Sequence, residues 1–176
     1  MIAPVVVFAV GNPSRGDDAI GPLLLERLAA WLAAEGLDGH FDLVEDFQLQ
    51  IEHSLDLQGR RLALFIDAGV QTPVPYSFLR IAPASGFAHT THELPPEAVL
   101  QVFRQTEAAE PPPAFTLCVS GERFELGEPL SPAAEAHAAA AFATLGQLCR
   151  DSHAAAWERL QFSGNAAVAP AVEGAC

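Results

Sequence analysis

Three polar segments along the chain carry residue types that can bind a metal ion or move a proton. The segment GNPSRGDDAIG contains Asp17 and Asp18, Asp67 follows a long apolar run, and His92 lies in the segment HTTHEL. Two carboxylates and one imidazole form an O,O,N ligand set that suits a divalent metal with an open coordination position. The sequence therefore predicts a metal site or a catalytic carboxylate site built from these segments.

Each of these residues also has an ordinary structural explanation. Asp17 or Asp18 could cap the following helix, where a carboxylate meets free N–H groups and the positive end of the helix dipole. Asp67 could be a turn residue that accepts a hydrogen bond from a nearby amide. His92 could be a solvated loop residue or a helix cap, and by spacing alone His89 is an equally good ligand. The residue types therefore leave the membership of the site open.

Two other kinds of site fit the sequence poorly. GNPSRGDD is neither G-x-G-x-x-G nor a Walker loop, and its two carboxylates would repel a phosphate. The chain has no Ser/His/Asp nucleophile elbow, and the cysteines Cys118, Cys149 and Cys176 fall outside the predicted loops, with Cys118 inside a strand. Their odd number and wide spacing fit neither a disulfide framework nor a zinc knuckle, so reduced thiols are expected.

The elements that must position these residues alternate between strands and helices. Continuous apolar runs predict buried strands at residues 4–10 and 61–66, the second ending at Asp67-Ala68-Gly69. Helical spacing after Ile20 predicts a helix that stops at Gly36. The remaining expected elements are strands at 41–45, 76–81 (antiparallel or at an edge) and 115–120 (the last), and helices at 49–57, 95–105 and from Ser131-Pro132 past Cys149 with a possible continuation to Leu160.

This order predicts an α/β fold, a three-layer sandwich with an approximately five-stranded, mostly parallel twisted sheet and helices on both faces. A length of 176 residues with 50% apolar residues suits one domain, expected at residues 1–162, with a flexible tail at 163–176. In such sheets functional residues gather at the carboxyl ends of the strands. The predicted positions of Asp18 and Asp67 follow that rule.

The charge of the chain excludes some partners. Nine arginines and no lysine stand against 22 acidic residues, for a formal net charge of −13. Nucleic acids and anionic membranes are therefore disfavoured, whereas a cation or a basic protein segment would be attracted. A bias in the coding DNA explains the missing lysines equally well. The apolar N-terminus lacks a basic region and is too short to span a bilayer, so a soluble, cytoplasmic monomer is expected.

Four motifs in order resemble the hydrogenase maturation protease family, over about residues 5–148. They are GNPSRGDDAIGPLLLERL, DFQLQIEHSLDL before RLALFIDAG, THELPPEAVL, and FTLCVSGERFELGEPLSPAAEA. The resemblance implies an aspartyl-type endopeptidase that removes the C-terminal extension of a nickel-loaded nickel-iron hydrogenase large-subunit precursor. GNPSRGDD and DFQL are most similar to the proteases that serve NAD-reducing, bidirectional hydrogenases.

The resemblance also implies the site residues. The family's metal-contacting and catalytic positions fall on Asp18, Asp67 and His92, and His92 is preferred over His89 because the family's histidine precedes a Gln/Glu-Leu pair. Nickel would be carried by the precursor and held only weakly by the free protein. Several family members have Glu at the Asp18 position, so the shorter side chain requires the loop to lie closer to the metal. Glu52 falls on an acidic family position with a structural or substrate-orienting role.

The chemistry and two other functions remain open at this point. The metal could polarise the carbonyl or a water, or a carboxylate could act as general base. A non-catalytic assembly factor that binds the nickel-loaded precursor would need the same three residues. An unrelated metallohydrolase that acts on small molecules could also use this scaffold.

Overall fold

Six strands and four α-helices make up the part of the chain that the structure, a computed structural model, describes, namely residues 1–86 and 94–165. The strands are β1 (Val5–Val10), β2 (Phe41–Asp46), β3 (Leu62–Gly69), β4 (Val74–Ile81), β5 (Ala114–Ser120) and β6 (Phe162–Asn165). The helices are α1 (Ile20–Glu35), α2 (Pro96–Glu107), α3 (Pro132–Arg150) and α4 (Ala154–Arg159), and a 3-10 helix, Ile51–Leu57, precedes β3. None of the described helices is long and apolar enough to cross a membrane.

The strands form one mixed sheet in the order β2-β1-β3-β5-β4-β6. The first four strands in this order are parallel, and β4 is antiparallel to both β5 and β6. The expected α/β fold with a mostly parallel sheet is confirmed. The strand count is six rather than about five, because β5 is not the last strand and the predicted boundary between residues 162 and 163 falls inside β6. Strand β4 is antiparallel to its neighbours, as expected. It does not lie at an edge of the sheet, because β6 pairs with its other side.

Helices cover both faces of the sheet. Helices α1, α3 and α4 enclose one core, and α2 with the 3-10 helix encloses the other. Alternate residues of β1 enter opposite cores, which explains why its apolar run is continuous. Val5, Val7 and Ala9 lie in the first core, and Val6, Phe8 and Val10 lie in the second. The predicted three layers are therefore confirmed.

Helix α3 is shorter than the sequence indicated. It ends at Arg150 instead of continuing to Leu160, and a second helix begins at Ala154. The break turns the chain so that Trp157 is fully buried in the first core, where its indole Nε1 donates to the Leu148 carbonyl at 2.9 Å. A buried indole needs such a partner for its N–H, and the break supplies it.

The other helix boundaries follow the signals in the sequence. Helix α1 ends at Gly36, which adopts the left-handed conformation with φ 69°. Helix α3 begins at a Ser131 cap, whose hydroxyl accepts a hydrogen bond from the Ala134 amide at 3.1 Å. These two residues therefore fix where α1 and α3 stop and start.

Candidate active site

Two of the three residues predicted to do chemistry, Asp18 and Asp67, lie at the carboxyl ends of β1 and β3. Strand β3 runs through Asp67 to Gly69, so Asp67 is a strand residue rather than the first residue of a turn. It pairs in register with Cys118 of β5. Its side chain is exposed, and its Oδ1 accepts a hydrogen bond from the Ala68 amide at 2.7 Å. The strand therefore holds this carboxylate at a fixed place on the edge of the sheet.

The loop after β1 is compact because two glycines allow it. Gly11 has φ 145°, and a Cβ there would lie 2.0 Å from the Asp18 carbonyl oxygen. Gly16 has φ 54°, and a Cβ there would lie 2.4 Å from the Arg123 carbonyl oxygen. Only glycine adopts such conformations freely and tolerates such close approaches. These contacts fold the loop back and press it against the segment that follows β5.

Asp17 fastens this loop to the segment between β5 and α3. Its carboxylate is fully buried: Oδ1 accepts from the Ser131 amide at 2.7 Å, and Oδ2 accepts from the Glu122 amide, the Arg123 amide and the Ser131 hydroxyl at 2.7, 3.0 and 2.8 Å. Burial raises the pKa of Asp17, but the four hydrogen bonds outweigh burial and hold that pKa below its ordinary value. Asp17 is thus a structural residue, and it does not cap a helix.

Asp18 and Asp67 line one cleft of about 690 Å³. The Asp18 side chain is half-buried, and its Oδ2 accepts a hydrogen bond from the Asn12 amide at 2.7 Å. A carboxylate has about four acceptor sites, so this bond is compatible with metal coordination by Asp18. Arg15 of the same loop and Phe47 also line the cleft. The structure therefore brings the two predicted carboxylates to one site.

His92 and His89 lie outside the described residues, so the predicted imidazole stays a prediction from the sequence. The described chain resumes at Leu94, which lines the cleft together with Pro95 and Pro96. Within residues 1–86 and 94–165 no three His, Cys, Asp or Glu side chains form a group that could hold a metal ion. The described part of the site thus supplies the two carboxylates of the predicted ligand set. Glu52 is exposed on the 3-10 helix.

A smaller apolar cavity, which the sequence did not indicate, lies beside Asp67. It measures about 220 Å³, and Phe8, Phe65, Thr116 and Cys118 contribute to its walls. Strand alternation places Asp67 on the same face of β3 as Phe65, and Cys118 on the same face of β5 as Thr116. The register that brings the two pairs together is a property of the folded sheet. The cavity therefore joins the second core to the cleft.

The described cysteines are poor nucleophiles. Burial raises the pKa of Cys118; a hydrogen bond with the Thr72 hydroxyl, at 3.0 Å, opposes this effect, and the negative charge of Asp67 adds to it. Burial raises the pKa of Cys149 to about 12, although Arg150 partly opposes that shift. The thiolate is the reactive form of cysteine, so both groups are kept unreactive at neutral pH.

We expect Cys149 in the folded protein to react with iodoacetamide at pH 8 about a thousandfold more slowly than an ordinary thiol, because so little of it is thiolate. Cys118 should also be slow. Peptide mass spectrometry after timed alkylation measures each rate, and the urea-unfolded protein is the control. Rapid alkylation of Cys118 with concurrent loss of activity would instead indicate a cysteine nucleophile.

No family model matches the chain, and no curated protein matches its sequence. Solved structures do share its fold. An endopeptidase from Escherichia coli is 25% identical with a TM-score of 0.62, over 84% of this chain and 93% of that one. The hydrogenase maturating endopeptidase HybD from E. coli is 23% identical over the same shares of the two chains, also with a TM-score of 0.62. The NiFe hydrogenase maturation protease HycI from Thermococcus kodakarensis is 20% identical over 85% and 94%, with a TM-score of 0.61. The chain therefore has the fold of the hydrogenase maturation proteases.

Proposed function

We propose that this protein is an endopeptidase that removes the C-terminal extension of a nickel-loaded nickel-iron hydrogenase large-subunit precursor, acting as a cytoplasmic monomer. The observation that carries the proposal is the position of Asp18 and Asp67, which line one cleft at the carboxyl edge of the sheet. The fold, which is that of hydrogenase maturation proteases, supports the same activity. Within that class, the GNPSRGDD and DFQL motifs favour a precursor of the NAD-reducing type.

Nickel belongs to the substrate in this proposal. Cysteine thiolates of the precursor would hold the ion, and Asp18, Asp67 and His92 would add carboxylate and imidazole ligands from the protease. Two carboxylates and an imidazole bind nickel more weakly than a thiolate-rich site does, so the free protein should retain little metal. Contact with the ion would then fix the precursor in the cleft and restrict cleavage to the loaded form.

The cleft residues support hydrolysis in either of two ways. A carboxylate within hydrogen-bond reach of a water can accept its proton as general base. The precursor's nickel can instead polarise the scissile carbonyl or the water. In both cases the carboxylates of Asp18 and Asp67 must face the cleft. Hydrogen bonds donated by the backbone amides of Asn12 and Ala68 help to hold them in place.

The direct test compares nickel-loaded and nickel-free precursor. We expect mass spectrometry to show release of the C-terminal peptide from the loaded precursor alone. Equal cleavage of both forms would contradict nickel recognition. Binding of the loaded precursor without cleavage would instead identify an assembly factor, and tight stoichiometric metal in the isolated protein would favour a metallohydrolase. A panel of precursors from different hydrogenase classes tests the preference for the NAD-reducing type.

The two histidines of the HTTHEL segment provide a matched pair of variants. We expect His92→Ala to reduce processing of the loaded precursor by about 100-fold or more, the scale of losing a group that acts at the reacting centre. His89→Ala should leave the rate unchanged. Timed mass spectrometry of the released peptide measures both. The opposite result would move the imidazole ligand to His89.

A further inference from the structure

We propose that the cavity beside Asp67 is a specificity subsite that takes an apolar side chain of the precursor next to the cleaved bond. This inference rests on the proposed function and adds to it a rule for substrate choice. It concerns the walls formed by Phe8, Phe65, Leu49 and Thr116, whereas Asp67 lines both the cavity and the cleft. The four wall residues would select the substrate and would take no part in the bond-breaking step.

The walls are apolar and well ordered by packing. Phe8 and Phe65 are almost fully buried, and their rings stack with centroids 4.7 Å apart. Thr116 is half-buried on the neighbouring strand and pairs in register with Phe65. Leu49 contributes from the segment before the 3-10 helix. Such walls offer dispersion contacts to an apolar group and few hydrogen bonds to a polar one.

The size of the cavity suits a large aliphatic or an aromatic side chain. Its volume is about 220 Å³. An apolar protein cavity of about 150 Å³ stays dry and accommodates benzene. A leucine, methionine or phenylalanine side chain is therefore small enough to enter this cavity and pack against its apolar walls. Alanine would leave most of that space empty.

The cavity opens where the peptide must pass. Val10, Leu49, Asp67 and Pro96 line both the cavity and the larger cleft. A precursor segment that reaches Asp67 through its nickel thus lies at the mouth of the cavity, so one of its side chains can point inward. Asp67 at this mouth, and Glu97 in the wall of the cavity, would repel an acidic side chain. The subsite therefore favours apolar over acidic residues both by packing and by charge.

Thr116 is the position for the test because it lies in the wall of the cavity and does not line the cleft. Thr116→Phe would fill the cavity with a side chain that strands accommodate well. Thr116→Val keeps the size and removes only the hydroxyl, so it is the matched control. Thr116→Leu is a second filling variant if the phenylalanine variant does not fold, and thermal unfolding verifies each protein.

The first measurement crosses these variants with precursor variants. Each apolar residue within three positions of the cleaved bond is changed in turn to Ala and to Asp, and kcat/KM is determined for nickel-loaded precursors. For wild type and Thr116→Val, one position should lose about 10- to 200-fold on change to Ala, the range for a lost apolar contact, and more on change to Asp. The filled variant should lose that preference and cleave the Ala precursor better than the natural one. Equal preferences in all proteins would overturn the proposal.

A second measurement does not depend on cleavage. N-acetyl-leucine amide is titrated into isotope-labelled protein at millimolar concentrations, and NMR shifts are followed at Phe65 and residue 116. Shifts are expected in wild type and Thr116→Val, and they should disappear in Thr116→Phe. If wild type fails to process any precursor, the proposed function fails while these shifts still decide the subsite. If processing occurs but the shifts and the crossed preferences are absent, only the subsite is wrong.

Discussion

Asp67→Asn is expected to abolish processing of the nickel-loaded precursor while the fold stays intact. The substitution keeps the shape of the side chain and removes its charge, so the cleft loses a carboxylate that we propose as a nickel ligand or general base. The rate should fall by about 100-fold or more, the scale of losing general acid–base assistance. The side chain is exposed, and an asparagine oxygen can still accept from the Ala68 amide. Stability should therefore change by no more than about 0.5 kcal/mol.

Timed mass spectrometry of the released peptide and urea unfolding measure these two effects separately. Asp18→Asn should give the same loss, because Asp18 lines the same cleft. Asp38→Asn is the matched control, since it makes the same chemical change at an exposed carboxylate between α1 and β2, outside the cleft. A normal rate for Asp67→Asn would mean that Asp67 serves only the strand. An equal loss with Asp38→Asn would mean that the effect is one of overall charge.

The sequence predicted the parts of the site that depend on local pattern and on the general rule for α/β sheets. Apolar runs located β1 and β3, and the rule that carboxyl ends meet at one edge placed Asp18 and Asp67 together. The sequence could not separate Asp17 from Asp18, since the two are adjacent and chemically identical. The distinction depends on amides more than 100 residues away, those of Glu122, Arg123 and Ser131, which capture Asp17 alone.

Non-local pairing also explains what the sequence did not reveal. Strand β6 is only four residues long, and it exists because it pairs with β4 far earlier in the chain. Gly164 permits that approach, since a Cβ there would lie 2.1 Å from the Val74 carbonyl oxygen. The cavity beside Asp67 likewise depends on the register between β3 and β5, which aligns Asp67 with Cys118. Composition and periodicity do not encode either register.

Asp17→Asn is expected to cost about 3–5 kcal/mol of stability, the scale of disrupting a buried charged network. In the asparagine side chain an NH2 group replaces one carboxylate oxygen. If it took the place of Oδ2, its N–H groups would face three other donors, the Glu122 amide, the Arg123 amide and the Ser131 hydroxyl. Domains are stable by only about 5–15 kcal/mol, so this is a large fraction of the total. The loop that carries Asp18 would also lose its anchor, and processing would fall with stability.

The dependence on pH distinguishes this role from a simple packing defect. Hydrogen bonds hold the pKa of Asp17 in the folded protein below its unfolded value of about 3.9. Its carboxylate therefore contributes fully above that unfolded value, and the contribution is lost as the pH falls through the folded pKa. The stability difference between wild type and Asp17→Asn should be constant from about pH 7 to pH 5 and should shrink below about pH 4.

Urea unfolding at a series of pH values measures that difference, with Asp38→Asn as the control because Asp38 is exposed. The control should match wild type at every pH. A difference for Asp17→Asn that persists undiminished in acid would show that shape, rather than charge, holds the loop. A stable Asp17→Asn protein without processing activity would move Asp17 into the chemistry of the cleft, since loss of activity without loss of stability is the result expected for the proposed site residues, such as Asp67.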